Sequence, residues 1–326
     1  MKPTDALTNG AESCVGYILL YLGVPVSSRF DEVEEHLSIV RAECKPLGVK
    51  VRRLLVHWDS KKDTNGRYLF SFANHCRNDD KAVRLAEAFL YAVALVRGPM
   101  IEPDHDSLIL RVPNSMVARR KAVTMTELFE LEKSRAAQAR MLAFPAITIG
   151  TVTHTAACVF EAAWRAVRIT MQKEHLFEAT RFHKKSLDNF CVAPGQISEV
   201  AGDPSMIPKT SSHQTNFEDA LQNAFKAIEA VIGDPPKDDL KLRLKLKAIG
   251  IDPDEEVGYV NKTTIQQTIR DMNRARDKKA AHGSTKNRTI GAADLLHFQE
   301  CSVYVVTLAI ETARGSTLLP YEPTSS

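Results

Sequence analysis

The sequence predicts an α+β protein, with a small mixed α/β region over residues 1–145 followed by a helical region over residues 146–326. Short Val- and Leu-rich runs alternate with helical patterns in the first part. Apolar residues recur at spacings of three and four in the second. Glycine or proline closes each helical segment of the last third. The 326 residues are 44% hydrophobic and 25% charged, which excludes a disordered, collagen-like or disulfide-framework chain. That length suits two domains or one large one.

In the first region, residues 30–44 (FDEVEEHLSIVRAEC) form an amphipathic helix candidate. Residues 49–58 read as a strand, and residues 68–72 (YLFSF) as a second one after the turn-like Asn65-Gly66. Residues 80–97 carry Ala, Leu and Val on most faces and predict a buried helix stopped by Gly98-Pro99. Residues 107–112 (SLILRV) make a third strand, ended by Pro113. No glycine-rich phosphate loop occurs there.

Residues 127–144 are expected to be helical up to Pro145, and residues 152–189 carry one long helical pattern. Residues 193–215 hold Pro194, Gly195, Gly202, Pro204 and Pro208 and read as a long loop. Beyond it no strand signal is found. Helices are expected over 217–232, 238–249, 264–282 and 292–314, a pattern that packs naturally as a bundle.

Six cysteines stand about thirty residues apart or more, so there is no C-x-x-C pair. They read as free thiols of a reducing compartment. The apolar run Val15–Val24 imitates the core of a signal peptide, but Lys2 ahead of it is outnumbered by Asp5 and Glu12. No run reaches the ~18 apolar residues of a membrane span. A cytoplasmic protein with no membrane partner is expected.

The constellation that carries chemistry is Arg276-Asp277-Lys278-Lys279-Ala280-Ala281-His282-Gly283. Ile265, Ile269 and Met272 make an apolar stripe, and the next step of four lands on Arg276, where a core residue is expected. A guanidinium there must reach a partner or face a groove. His282, six residues on, lies about 120° around an ideal helix. The two side chains converge only if the last turn unwinds, or if two copies meet across a symmetric interface. The chemistry open to such a pair is RNA cleavage. Histidine trades protons with the ribose 2′-hydroxyl and the leaving oxygen, and arginine holds the phosphate. Between Val260 and Ile290 eight basic residues face two acidic ones, a local excess of six in a chain of net charge +3. An anionic ligand suits that excess, with Arg270, Arg274, Lys278 and Lys279 as candidate RNA contacts. Asp277 is a candidate polar helper, and Glu229, beside the apolar stripe of its helix, could pair with Arg276. No metal or cofactor is called for, because the 2′-hydroxyl is the internal nucleophile.

With Arg276, Asp277 and His282 followed by Gly283-Ser284, and with FKAIEAVIGDP (Phe225–Pro235) upstream, the stretch of about 216–314 resembles a HEPN domain of the abortive-infection or Apea-like branch. The span from about His175 to Val200 is similar to what precedes that domain in bacterial proteins of unknown function. The resemblance covers roughly 140 residues and leaves 1–150 unassigned. It implies an all-α bundle, frequent homodimerisation and metal-independent endoribonuclease activity, in some relatives as a toxin or antiviral effector. Other relatives have lost catalysis and only bind RNA or protein, which is the alternative function.

Plainer readings stand beside these. Arg276 could be a surface arginine whose stem lies on the core edge. His282 could favour the last carbonyls of its helix. The basic excess could be a solvated face. Other motifs fail on inspection. Asp252-x-Asp254-x-Glu256 begins like a calcium loop but has Val257 and Thr263 where Gly and Glu belong. His175 and His183 are spaced poorly for a metal. Trp164, on an Ala-rich stripe, reads as core.

Overall fold

The computed structural model describes residues 14–25, 38–39, 41–43, 45–47, 49–57, 67–74, 79–97, 107–113, 122–124, 126, 142–144, 156–189, 211–258, 262–280, 291–316 and 318. The chain divides into two compact units, Met1–Ala86 with Asp104–Ile147 and Glu87–Pro103 with Thr148–Ser326. The second unit therefore takes in a segment, Glu87–Pro103, that lies within the region the sequence assigns to residues 1–145.

The first unit holds a six-stranded mixed sheet of β1 (Cys14–Pro25), β2 (Val49–His57), β3 (Arg67–Asn74), β4 (Ser107–Pro113), β5 (Ala122–Thr124) and β6 (Leu142–Phe144), in the order β5-β2-β3-β1-β4-β6. The β2 and β5 strands run parallel, and every other pairing is antiparallel. Three of the strands are those the sequence announced. The run that imitates a signal-peptide core is β1, hydrogen-bonded on one edge to β3 (Leu20 opposite Phe70) and on the other to β4 (Ile18 opposite Ile109). Both edges of β1 are therefore paired, which puts this apolar run inside the sheet. The helix expected up to Phe144 gives way at its end to β6, where Leu142 pairs with Ile109 and Phe144 with Ser107. Pairing with β4 overrides the local preference of Leu-Ala-Phe. Of the helix expected at 30–44, residues 38–39 and 41–43 are helical.

Helix α1 (Asp79–Arg97) crosses the division between the units, and its second half belongs to the second. There Phe89 stacks at 4.8 Å on Trp164, and Tyr91 meets Phe177 edge-on at 5.6 Å. Trp164 is fully buried, as its Ala-rich stripe predicts. The remaining helices are α2 (Ala156–Thr170), α3 (Glu174–Asn189), α4 (Ser211–Ile232), α5 (Asp239–Ala248), α6 (Ile265–Ala280) and α7 (Ala292–Arg314). The single pattern over 152–189 is thus two helices, broken at a turn over 171–173. The loop expected to reach residue 215 ends earlier, since α4 begins at Ser211.

The core of the bundle gathers Phe217, Leu221, Phe225 and Ile228 of α4, Leu242 and Leu246 of α5, Ile265, Ile269 and Met272 of α6, and Leu295, Phe298 and Val305 of α7. The positions in α4 and α6 are those the three–four spacing picked out. Gly315 ends the last helix as the sequence suggests, and Asp238, read there as the first helical residue, is instead an N-cap. Asp238 accepts the Lys241 N–H at 2.8 Å at the start of α5, and Gly315 adopts φ +77° at the end of α7. Gly250, after α5, has φ +80° and no room for a side chain, because a Cβ there would lie 2.8 Å from Thr312 Oγ1. Thr312 in turn donates to the Ile249 carbonyl at 3.1 Å.

A further expectation fails within this unit. The last 110 residues are not helical throughout, because β7 (Glu256–Val257) and β8 (Thr263–Thr264) form a small antiparallel ladder between α5 and α6. Two-residue strands are too short to show a period of two. Among the described residues no helix is long and apolar enough to cross a membrane.

Candidate functional site

Helix α6 carries the site. Its buried stripe runs Ile265, Ile269, Met272 and then Ala275, which is 4% exposed. The core position expected at Arg276 is therefore filled by Ala275, one residue earlier. Arg276 sits at the margin, with its side chain 36% exposed. Two groups of α4 hold it there. Its Nη1 donates to Glu229 Oε1 at 2.6 Å, and its guanidinium carbon stands 4.6 Å from the centre of the Phe225 ring. Phe225 is fully buried and cannot move aside, so it is a fixed platform for the cation. The pairing with Glu229 considered from the sequence is in place.

The electrostatics of this pair are unequal. Burial pushes the Glu229 carboxyl above the usual carboxylate range, and the Arg276 guanidinium draws it back only in part. An ion pair and a ring contact at a half-exposed site are worth about 1 kcal/mol each at most. That is enough to orient a guanidinium but not to seal it.

The other sequence-predicted residues are distributed differently. Asp277, Lys278 and Lys279 lie on the last turn of α6, and their side chains fall outside the described residues, as does the whole of His282. Arg274 is 65% exposed and pairs with Asp271 at 3.1 Å. Arg270 is the departure. Its side chain is only 12% exposed, its Nε donates to Asp239 Oδ1 at 2.8 Å, and its Nη1 donates to the Pro236 carbonyl. That guanidinium ties α6 to the start of α5 and has its charge met internally, so it is a poor candidate for a free RNA contact. Nor does the calcium-like run gather oxygens, since Asp254 pairs with Arg243 at 2.6 Å and Glu256 lies in β7. Among the described residues no three metal-ligating side chains come together.

Polar groups to which the sequence reading gave no place in a core lie inside the bundle. His297 Nε2 is 2.9 Å from Thr263 Oγ1 and 3.0 Å from Thr268 Oγ1, which anchors β8 against α7. His183 of α3 is fully buried, with Nδ1 3.2 Å from Ser302 Oγ of α7. Gln299 Nε2 donates to Ser186 Oγ at 3.0 Å, and Ser186 donates to the Ala220 carbonyl at 2.7 Å. Burial, with a smaller push from neighbouring Lys184, lowers the His183 pKa to about 3, so this imidazole is neutral and cannot serve as an acid near neutral pH. Cys301 is a buried free thiol whose pKa burial raises.

No protein-family model, no curated protein and no solved structure matches this chain. The functional reading therefore rests on the residues themselves.

Proposed function

We propose that the C-terminal bundle is a HEPN-like endoribonuclease that cleaves RNA through its 2′-hydroxyl. The observation that supports the reading is the posture of Arg276, held by Glu229 and Phe225 at the margin of the bundle with its side chain about one-third exposed. In this reading Arg276 grips the scissile phosphate and stabilises the charge that develops on it. His282 takes the proton of the attacking 2′-hydroxyl and returns one to the leaving 5′-oxygen. Asp277 assists, Glu229 orients the arginine, and two copies paired through the bundle supply a shared groove. Arg274, Lys278 and Lys279 draw the RNA in.

The test is cleavage of single-stranded RNA by the full chain in excess chelator. Wild type is expected to cut, and His282→Ala or Arg276→Ala to lower the rate by about 100-fold or more. An inactive wild type, or a His282→Ala variant as fast as wild type, would overturn it. One observation favours a second reading, a catalytically silent RNA- or protein-binding module: Glu229 already occupies one edge of the guanidinium that would have to grip phosphate. That module would bind RNA with a steep salt dependence and leave it intact.

A further inference from the structure

Helix α5 has an inner and an outer face. On the inner face Leu242 and Leu246 are fully buried in the core. Leu240 and Leu244 each lie about 160° around the helix from Leu242. At 67% and 59% exposure they are the large apolar side chains that stand in solvent among the described residues. They are four residues apart and so form one ridge. Lys241 and Lys247, three residues to either side of Leu244, flank that ridge at about 60° on opposite sides, and both are exposed. Lys237, also exposed, lies just ahead of the helix.

Three neighbouring acids are turned to other tasks and do not cancel these cations. Asp238 caps the helix, Asp239 is held by Arg270, and Arg243 grips both oxygens of Asp254. Both arginines are thereby engaged within the protein, and the outer face presents leucine rimmed by lysine.

That combination fits one class of partner. Carboxylates of a protein partner are read best by arginine forks, and lysine is depleted in protein interfaces. Single-stranded nucleic acid asks for aromatic rings on which bases stack, not for an aliphatic ridge. A second copy of α5 would set lysine against lysine. An anionic bilayer satisfies both kinds of side chain. Leucine sinks into the boundary between headgroups and acyl chains, and the lysine stems snorkel so that the ammonium groups meet the headgroups. The expectation of no membrane partner rested on the lack of a spanning run, and a helix that lies on a surface needs none.

We propose that the outer face of α5 docks on an anionic lipid surface, with Leu240 and Leu244 entering the acyl boundary and Lys237, Lys241 and Lys247 meeting the headgroups. Arg276 and His282 take no part, so docking and RNA cleavage stand or fall separately.

Co-sedimentation of the full chain with vesicles tests the proposal. Vesicles of phosphatidylcholine and phosphatidylserine in equal parts should bind it at least about tenfold more tightly than phosphatidylcholine alone, and added salt should weaken the binding. Leu240→Ser combined with Leu244→Ser should lower the affinity by about tenfold or more, and Lys241→Gln combined with Lys247→Gln by about 20-fold. Neither pair should move the unfolding midpoint appreciably, because all four side chains are exposed. In Leu244→Trp the indole emission should shift to the blue with the mixed vesicles and stay in place with phosphatidylcholine alone. No binding to the mixed vesicles, equal binding to both kinds, or a double serine variant that binds as well as wild type would refute the lipid dock. So would a wild type that ignores vesicles but binds a synthetic acidic amphipathic helical peptide through Leu240 and Leu244, which would make the face a protein dock instead.

Discussion

Helix α7 packs against two different kinds of surface. Toward α4, α5 and α6 it offers Leu295, Phe298 and Val305 to an apolar seam. Toward α3, β8 and Thr268 at the start of α6 it offers His297, Gln299 and Ser302, all buried and all hydrogen-bonded. The apolar seam owes its stability to burial and tolerates approximate fits. The polar inlay depends on the hydrogen bonds it does make, and losing one leaves a further buried polar atom unmatched, which is costly.

The largest effect expected in the seam follows from Phe225→Ala. It should cost about 4 kcal/mol in denaturant unfolding, from lost burial and the cavity left behind. A cost below about 1 kcal/mol would mean that Phe225 does not anchor the seam. The inlay should instead reveal itself through pH. The folded pKa of His183, about 3, lies below the ordinary value of about 6.5. The unfolded chain therefore binds the extra proton, and stability should fall as pH drops from about 6.5 toward 3. The loss should reach about 3 kcal/mol by pH 4. His297, whose pKa burial also lowers, adds a loss of the same sign. Urea titrations at several pH values measure the slope, and His183→Leu should flatten it. A wild-type curve that is level from pH 7 to 4 would sink this account of the inlay. The smallest change belongs outside both surfaces. Leu240 and Leu244 of α5 are 67% and 59% exposed, and replacing either by serine should move stability by no more than about 0.5 kcal/mol.

The same contrast explains what the sequence discloses. The seam was legible because its residues repeat every three or four positions, from Phe217 to Ile232 and from Ile265 to Met272. The inlay was not, because His183, Gln299 and Ser302 look like surface residues until tertiary packing closes over them. In the sheet, β2, β3 and β4 announced themselves by composition. By contrast β5 and β6 are three residues each, and β7 and β8 two, and such strands exist only through their partners. At the candidate site the stripe led to the right turn of α6 but missed the buried face by one residue, since Ala275 has too little apolar surface to signal itself. The Glu229 contact was legible from its place beside the stripe. The internal engagement of Arg270 was not, because its partners Asp239 and Pro236 lie about thirty residues earlier in the chain.

The join at Gly250 reaches further than its size suggests. Its left-handed backbone lets Thr312 approach and cap the Ile249 carbonyl, so the far end of α7 acts as a latch on the exit from α5. A chain cut short ahead of Thr312 would keep most of the apolar seam and still lose that latch. The corner leading from α5 into β7 would then be held by buried Ile251 and by the Ile265 and Gln266 N–H groups that donate to the Glu255 and Pro253 carbonyls.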